Sequence, residues 1–271
     1  MNEKILYNDL IISTVLINSV FIPSARSEDV FLGTDSGIFL SEDGGVHFTY
    51  FMNGLSATKV YCFEEFIGKV FAGTDNGLFI LNGNKWQFYG ISDKHIYSLK
   101  AINGELYVGS SDTLFKIDGS GTIKEIEKFD FRIHQIFTFK NLILSATTAG
   151  LVRLDNFKKV FDMPVLSAAT TEIALYAGTH FGVKKSFDGK NFTDTALTDK
   201  IVRAAAVSDE KILFFGTDSG LYMSEDCGKS FTERLKNAHV FSLLFDTSHK
   251  DTLFVGTWGR GLIRYKFKSL P

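Results

Sequence analysis

The sequence predicts an all-β chain, a seven-bladed β-propeller of four-stranded blades closed by an amino-terminal strand that completes the last blade. Three observations predict it. A Gly-Thr hairpin pattern recurs seven times along 271 residues, an apolar column precedes each recurrence, and an Asp or Asn follows the first six. Composition agrees: 27 Phe and only 3 Pro suit packed strands, and 24 Gly supply the turns.

The hairpin signal reads DVFLGTDSGIF from Asp29, KVFAGTDNGLF from Lys69, ELYVGSSDTLF from Glu105 and LILSATTAGLV from Leu142. It continues as ALYAGTHFGVK from Ala174, ILFFGTDSGLY from Ile212 and TLFVGTWGRGLI from Thr252. Its key position falls at Gly33, Gly73, Gly109, Ala146, Gly178, Gly216 and Gly256. Each copy reads as strand, tight turn, strand. An earlier strand begins near 20, 60, 96, 133, 165, 202 and 240, at Val20, Val60, Ile96, Ile133, Val165, Val202 and Val240. A further strand follows each hairpin, so every unit carries four.

A ring of blades must close, or an unpaired edge remains at the seam. The seventh unit has three strands, and residues 5–12 (ILYNDLII) are expected to supply the fourth. Residues 1–271 then form one propeller domain, expected as a monomer. A rival reading takes Leu10 to Ala25 as a signal-peptide core with a small-residue cleavage region. Asp9 and Asn18 interrupt that stretch, and MNEK is barely cationic. The first reading favours the cytoplasm with residues 1–25 retained; the second implies secretion or export to the periplasm.

After each of the first six hairpins stands Asp43, Asn82, Asp118, Asp155, Asp188 or Asp226. The best-formed versions are SEDGGVHF from Ser41 and SEDCGKSF from Ser224, and SFDGKNF from Ser186 is a version one residue shorter. These match the pattern S-x-D-x-G-x-x-W/F, so the chain resembles the Asp-box (BNR-repeat) propellers, a group including sialidases, the sortilin propeller and photosystem II assembly factors. The closing GTWGRGLIRY is also similar to the last repeat of propeller-type xyloglucan hydrolases. Local physics explains the box: Asp accepts nearby backbone N–H groups while Gly takes the strained turn position. These residues are therefore expected to be structural, and the resemblance implies that ligands approach the opposite face.

On that opposite face two sets of side chains are candidates. The hairpin turns carry Asp35, Asp75, Asp112, His180, Asp218, Trp258 and Arg260. Thr-Asp-Ser-Gly is itself a good turn sequence, so turn chemistry competes with function for the aspartates. Trp258 beside Arg260 suits stacking on a sugar or anchoring a protein. The second set is the residue after each inner-strand start: Phe21, Tyr61, Tyr97, His134, Leu166, Arg203 and Phe241. In the sialidase pattern this point of the first blade carries R-I-P, whose Arg grips the substrate carboxylate. Here Phe21-Ile22-Pro23 stands there, which argues against sialidase activity.

A net charge of −2 offers no electrostatic case for nucleic acid or an anionic membrane, and no membrane span is expected. No HExxH, GxSxG, phosphate-cradling loop or EF-hand occurs, and the six His show no metal-ligand spacing, so neither cofactor nor metal is expected. Cys62 and Cys227 read as buried free thiols. Two functions compete: a non-catalytic scaffold binding a protein partner on the turn face, and a carbohydrate-binding or glycoside-hydrolysing protein acting on an oligosaccharide.

Overall fold

The computed structural model describes residues 6–7, 14–209, 211–246 and 248–267. Among them are seven antiparallel sheets of four strands each, and no helix. In the first six blades the strands lie side by side in chain order. The inner strands are Ile17–Phe21, Val60–Phe66, Ile96–Ile102, Ile133–Phe139, Ser167–Thr170, Val202–Val207 and His239–Phe245. Blade seven draws on both ends of the chain: Leu6–Tyr7 pairs outside Leu262–Lys266, Leu6 opposite Arg264 and Tyr7 opposite Ile263. The rest of the expected closing segment, residues 5 and 8–12, lies outside the described residues.

The Gly-Thr repeat has two separate physical causes. Glycine is needed where the next blade's inner strand presses in. A Cβ on Gly73 would stand 2.5 Å from Cys62 Sγ and 2.8 Å from the Ile96 carbonyl oxygen. Threonine closes the turn. Thr74 Oγ1 donates to the Gly77 carbonyl at 2.8 Å and accepts the Asn76 N–H at 3.0 Å, and Thr34, Thr147, Thr179 and Thr217 repeat both bonds. Ser110 plays the same part in blade three, and Thr257 Oγ1 spans the longer turn of blade seven to Gly261. All seven hydroxyl residues are fully buried, so each hydroxyl satisfies backbone groups that water cannot reach.

The cores lie between blades. Phe31 and Ile38 of blade one pack with Phe63, Phe79 and Trp86 of blade two; Trp86 is fully buried and donates its Nε1–H to the Phe51 carbonyl at 3.2 Å. Aromatics just after the lower turns serve the same joints. Phe48 packs with Phe254 of blade seven, and Phe192 lies 4.3 Å from the Phe161 ring of blade four. Each such burial contributes about 1.5–3 kcal/mol.

The lower turns fall into kinds that sequence spacing did not separate. Asp43, Asp188 and Asp226 share one geometry: each Oδ1 accepts a Ser hydroxyl and two backbone N–H groups three or four residues on, or two and three in the shorter Asp188 turn. Asp118 accepts the Ser120 and Thr122 N–H groups in a turn of its own. Asp155 instead pairs with Arg153, and Asn82 ends a strand opposite Lys85. The expectation of two buried thiols needs correction. Cys62 is half-buried in the channel wall, where burial pushes its thiol pKa up, and Cys227 is exposed at the left-handed position (φ 60) of the Asp226 turn.

Candidate functional site

The upper face is made by the Gly-Thr turns and by the leads into the inner strands. At the start of each inner strand in blades one to four, six and seven, pairing skips one residue. The skipped residues are Asn18, Tyr61, Tyr97, His134, Arg203 and Phe241, and Leu166 holds the matching place just ahead of Ser167–Thr170 in blade five. A bulge bends the strand and re-aims the extra side chain. Here all seven point to one place: together they line a central channel mouth of about 290 Å³.

Blade one departs from the expected register. Ile17, not Val20, is the counterpart of Val60, since Ile17 pairs with Thr34 as Val60 pairs with Thr74. Asn18 therefore faces the channel, and Phe21 sits at the lower end of its strand, stacked 5.8 Å from Phe63. The cause is the connection below: residues 22–29 join the first two strands of blade one, where residues 67–68 suffice in blade two. Phe21-Ile22-Pro23 consequently says nothing about a sugar-carboxylate clamp at the channel.

The turn aspartates are turned inward on their own backbone. Asp35 Oδ1 accepts the Leu16 N–H at 3.1 Å, and Asp75 accepts the N–H groups of Thr58 and Lys59 and the Thr58 hydroxyl. Asp112 takes both bonds of Lys94 at 2.6 and 2.7 Å, which holds its carboxyl below the usual range. Asp218 is half-buried, and its N–H donates to Ile201. Three carboxylates expected at the face are thus anchoring the leads into the inner strands. By contrast His180 is exposed, as are Trp258 (57%) and Arg260, whose guanidinium reaches the Lys236 carbonyl at 3.2 Å. Trp258 meets His239 edge-on at 5.8 Å. Phe181, beside His180, is 62% exposed and was not among the expected residues.

Within the mouth the rings gather on one side. Tyr61 and Tyr97 lie 4.6 Å apart, both hydroxyls meet His95 Nδ1 at 3.2 Å, and the Arg132 guanidinium covers Tyr97 at 4.3 Å. Burial, aided by the neighbouring Tyr97 and Asp75, pushes Tyr61 up to about 12. On the other side Arg203 lies 5.0 Å over the Phe241 ring. His134 between them is lowered to about 4, first by burial and then by the charges of Arg132 and His180, so its imidazole is neutral at pH 7. Its Nε2 is buried without a hydrogen-bond partner.

One step further into the channel the side chains tie blades together, a feature sequence reading missed. Ser98 Oγ accepts the Ile136 N–H at 2.8 Å, and Gln135 both donates to the Ala168 carbonyl and accepts its N–H. Ser167 Oγ donates to Val202, Ser242 Oγ to Ile17, and Asn18 Nδ2 to Val60. Cys62 Sγ makes a long contact of 3.8 Å to the Ile96 carbonyl. Only at the joint of blades six and seven does this position, Ala204, offer no polar atom; there Arg203 crosses to Phe241 instead.

No family model matches the chain, and no curated protein matches it. Solved structures do. The extracellular domain of BT4673 from B. thetaiotaomicron superposes with a TM-score of 0.84 at 18% identity, covering 100% of this chain and 41% of that one. The chain thus spans about two fifths of that relative's length. Virginiamycin B lyase from Staphylococcus aureus matches at TM-score 0.77 and 12% identity, covering 98% of this chain and 100% of that chain. YCF48 bound to D1 peptide matches at 0.76 and 13%, covering 99% and 98%. These neighbours are seven-bladed propellers, and at such identities the likeness is one of fold.

Proposed function

We propose that the protein is a non-catalytic interaction scaffold whose upper face docks a protein partner. One observation carries this reading: the face presents exposed aromatic and cationic side chains on rigid short turns, while Asp35, Asp75 and Asp112 are engaged with their own loops. Exposed Trp and Arg are the residue types that anchor protein interfaces, and a rigid frame spares them much of the ordering cost. A propeller neighbour solved bound to a peptide, YCF48 with D1 peptide, supports the reading by analogy of fold. Kinship with the Asp-box propellers belongs to the same proposal, supported by the shared turn geometry of Asp43, Asp188 and Asp226.

The carbohydrate reading draws on Trp258 alone among the turn residues, because a hydrolase needs a pair of free carboxylates about 5–9 Å apart. Capture from native lysate tests the proposal. The protein should retain a defined partner that the Trp258→Ala/Arg260→Ala variant loses, with its melting temperature unchanged. Identical partners on both proteins, or a specific glycan-array signal with no protein retained, would overturn it.

A further inference from the structure

Elsewhere in this molecule several arginines and lysines meet a carboxylate. Arg26 faces Asp29, Arg153 faces Asp155, Arg264 approaches Asp246, and Lys100 in the channel wall is neutralised by Glu64 at 3.2 Å. The channel mouth breaks that pattern. Arg132 and Arg203 are held by aromatic rings, at 4.3 Å over Tyr97 and 5.0 Å over Phe241, and among the described residues neither side chain makes a hydrogen bond or an ion pair. A ring contact of this kind uses none of the five N–H donors of a guanidinium in a hydrogen bond to an acceptor oxygen. Beside them His134 Nε2 is buried with no partner. Among the described residues no Asp or Glu lines the cavity that Arg203, His134, Tyr61, Tyr97 and Phe241 share. In a chain of net charge −2 this is a local cationic island with unspent donors.

We propose that the channel mouth binds side-chain carboxylates of an acidic peptide segment, with two anion-binding forks: Arg203 in the cavity wall and Arg132, which is not part of that wall but lies over its residue Tyr97. The inference rests on the reading of the upper face as a protein-docking face and names the chemistry it selects. The guanidinium fork matches a carboxylate edge to edge. The rings of Tyr61, Tyr97 and Phe241 supply an apolar wall for the methylenes of a Glu side chain. A cavity of about 290 Å³ admits one or two side chains and excludes a folded element. Hydrogen-bonded blade joints flank blade four, whose inner strand Arg132 precedes, and one such joint, Ser167 to Val202, adjoins the blade of Arg203.

Calorimetric titration with acetylated, amidated hexaglutamate tests it, with hexaglutamine as the uncharged control and citrate as the free-acid arm. Hexaglutamate should bind and hexaglutamine should not. Arg203→Gln and Arg132→Gln should each weaken binding about tenfold, while Arg153→Gln on the lower face should leave it unchanged. Should either channel variant fail to fold, added NaCl must still weaken hexaglutamate binding to the unaltered protein. Equal affinity for hexaglutamine, salt-independent binding, or an Arg132→Gln/Arg203→Gln variant that folds and binds as before would overturn the assignment. So would binding of citrate with none of hexaglutamate. If those results came while the Trp258→Ala/Arg260→Ala variant still lost its captured partner, the docking face would stand and only its acidic selectivity would fall.

Discussion

The threonine of the Gly-Thr pair is the residue on which each upper turn depends. Thr74 is fully buried, and its hydroxyl serves the Asn76 N–H and the Gly77 carbonyl at once. Valine has the same shape but leaves both groups unmet, so Thr74→Val should cost about 1–3 kcal/mol, read as a lower urea midpoint at unchanged slope. Asn76→Ala, whose side chain makes no such bond and is exposed, should stay within about 0.5 kcal/mol. This part of the fold was legible in sequence because both causes act locally. A missing Cβ and a hydroxyl two residues before a turn N–H are written in residue types. The role of the following aspartate was less legible: Asp35, Asp75 and Asp112 bond backbone or Lys groups 16 to 19 residues away, a relation that only the folded blade brings about.

At the scale of the element, the lower turns carry the pH response. The Asp226 carboxyl is held down to about 2 from its ordinary 3.8 by the Ser230 hydroxyl and N–H, the Ser224 hydroxyl and the Lys229 N–H, and Asp43 and Asp188 are lowered in the same sense. A carboxyl more acidic in the folded state than in the unfolded one stabilises the fold fully above its unfolded value. That contribution is lost as pH falls through the folded value. The melting temperature should therefore decline between about pH 4 and pH 2, and Asp226→Asn should flatten that decline while lowering stability at pH 7. A slope unchanged by the substitution would mean that the turn is held by other bonds. The inner-strand bulge belongs to this scale too, and it explains what was misread. Pairing that skips a residue is invisible in a spacing pattern. With 13 residues between Val60 and Gly73 the counting works, but Ile17 and Gly33 are 16 apart and the channel residue moved from Phe21 to Asn18. Tyr61, Tyr97, His134 and Arg203 are legible because their blades keep the 13-residue spacing or exceed it by one.

For the whole molecule, closure depends on a short pairing. Leu6 and Tyr7 complete the sheet of blade seven against Arg264 and Ile263, and Leu16 bridges Trp258 across the seam. Proline at position 7 removes a backbone donor and restricts the residue before it. Tyr7→Pro should lower the melting temperature by several degrees, on the order of what about 1–2 kcal/mol does in a chain of this size. Hydrogen exchange should rise first at Leu262–Lys266, the strand that loses its neighbour; uniform exchange around the ring would show that closure does not rely on this pairing. Seven blades with neighbour-only contacts also make the effect local in origin and global in consequence, since the joints form a circle.

Cross-blade bonds at most joints of the ring brace the aperture at its centre. Gln135, Ser98, Ser167 and Ser242 clasp neighbouring inner strands beneath the mouth, so widening the bore at those joints would break these bonds. Whatever docks there meets a socket already cut to size. Calorimetry of such an encounter should show little entropic loss on the side of the protein, and selection by girth as much as by charge.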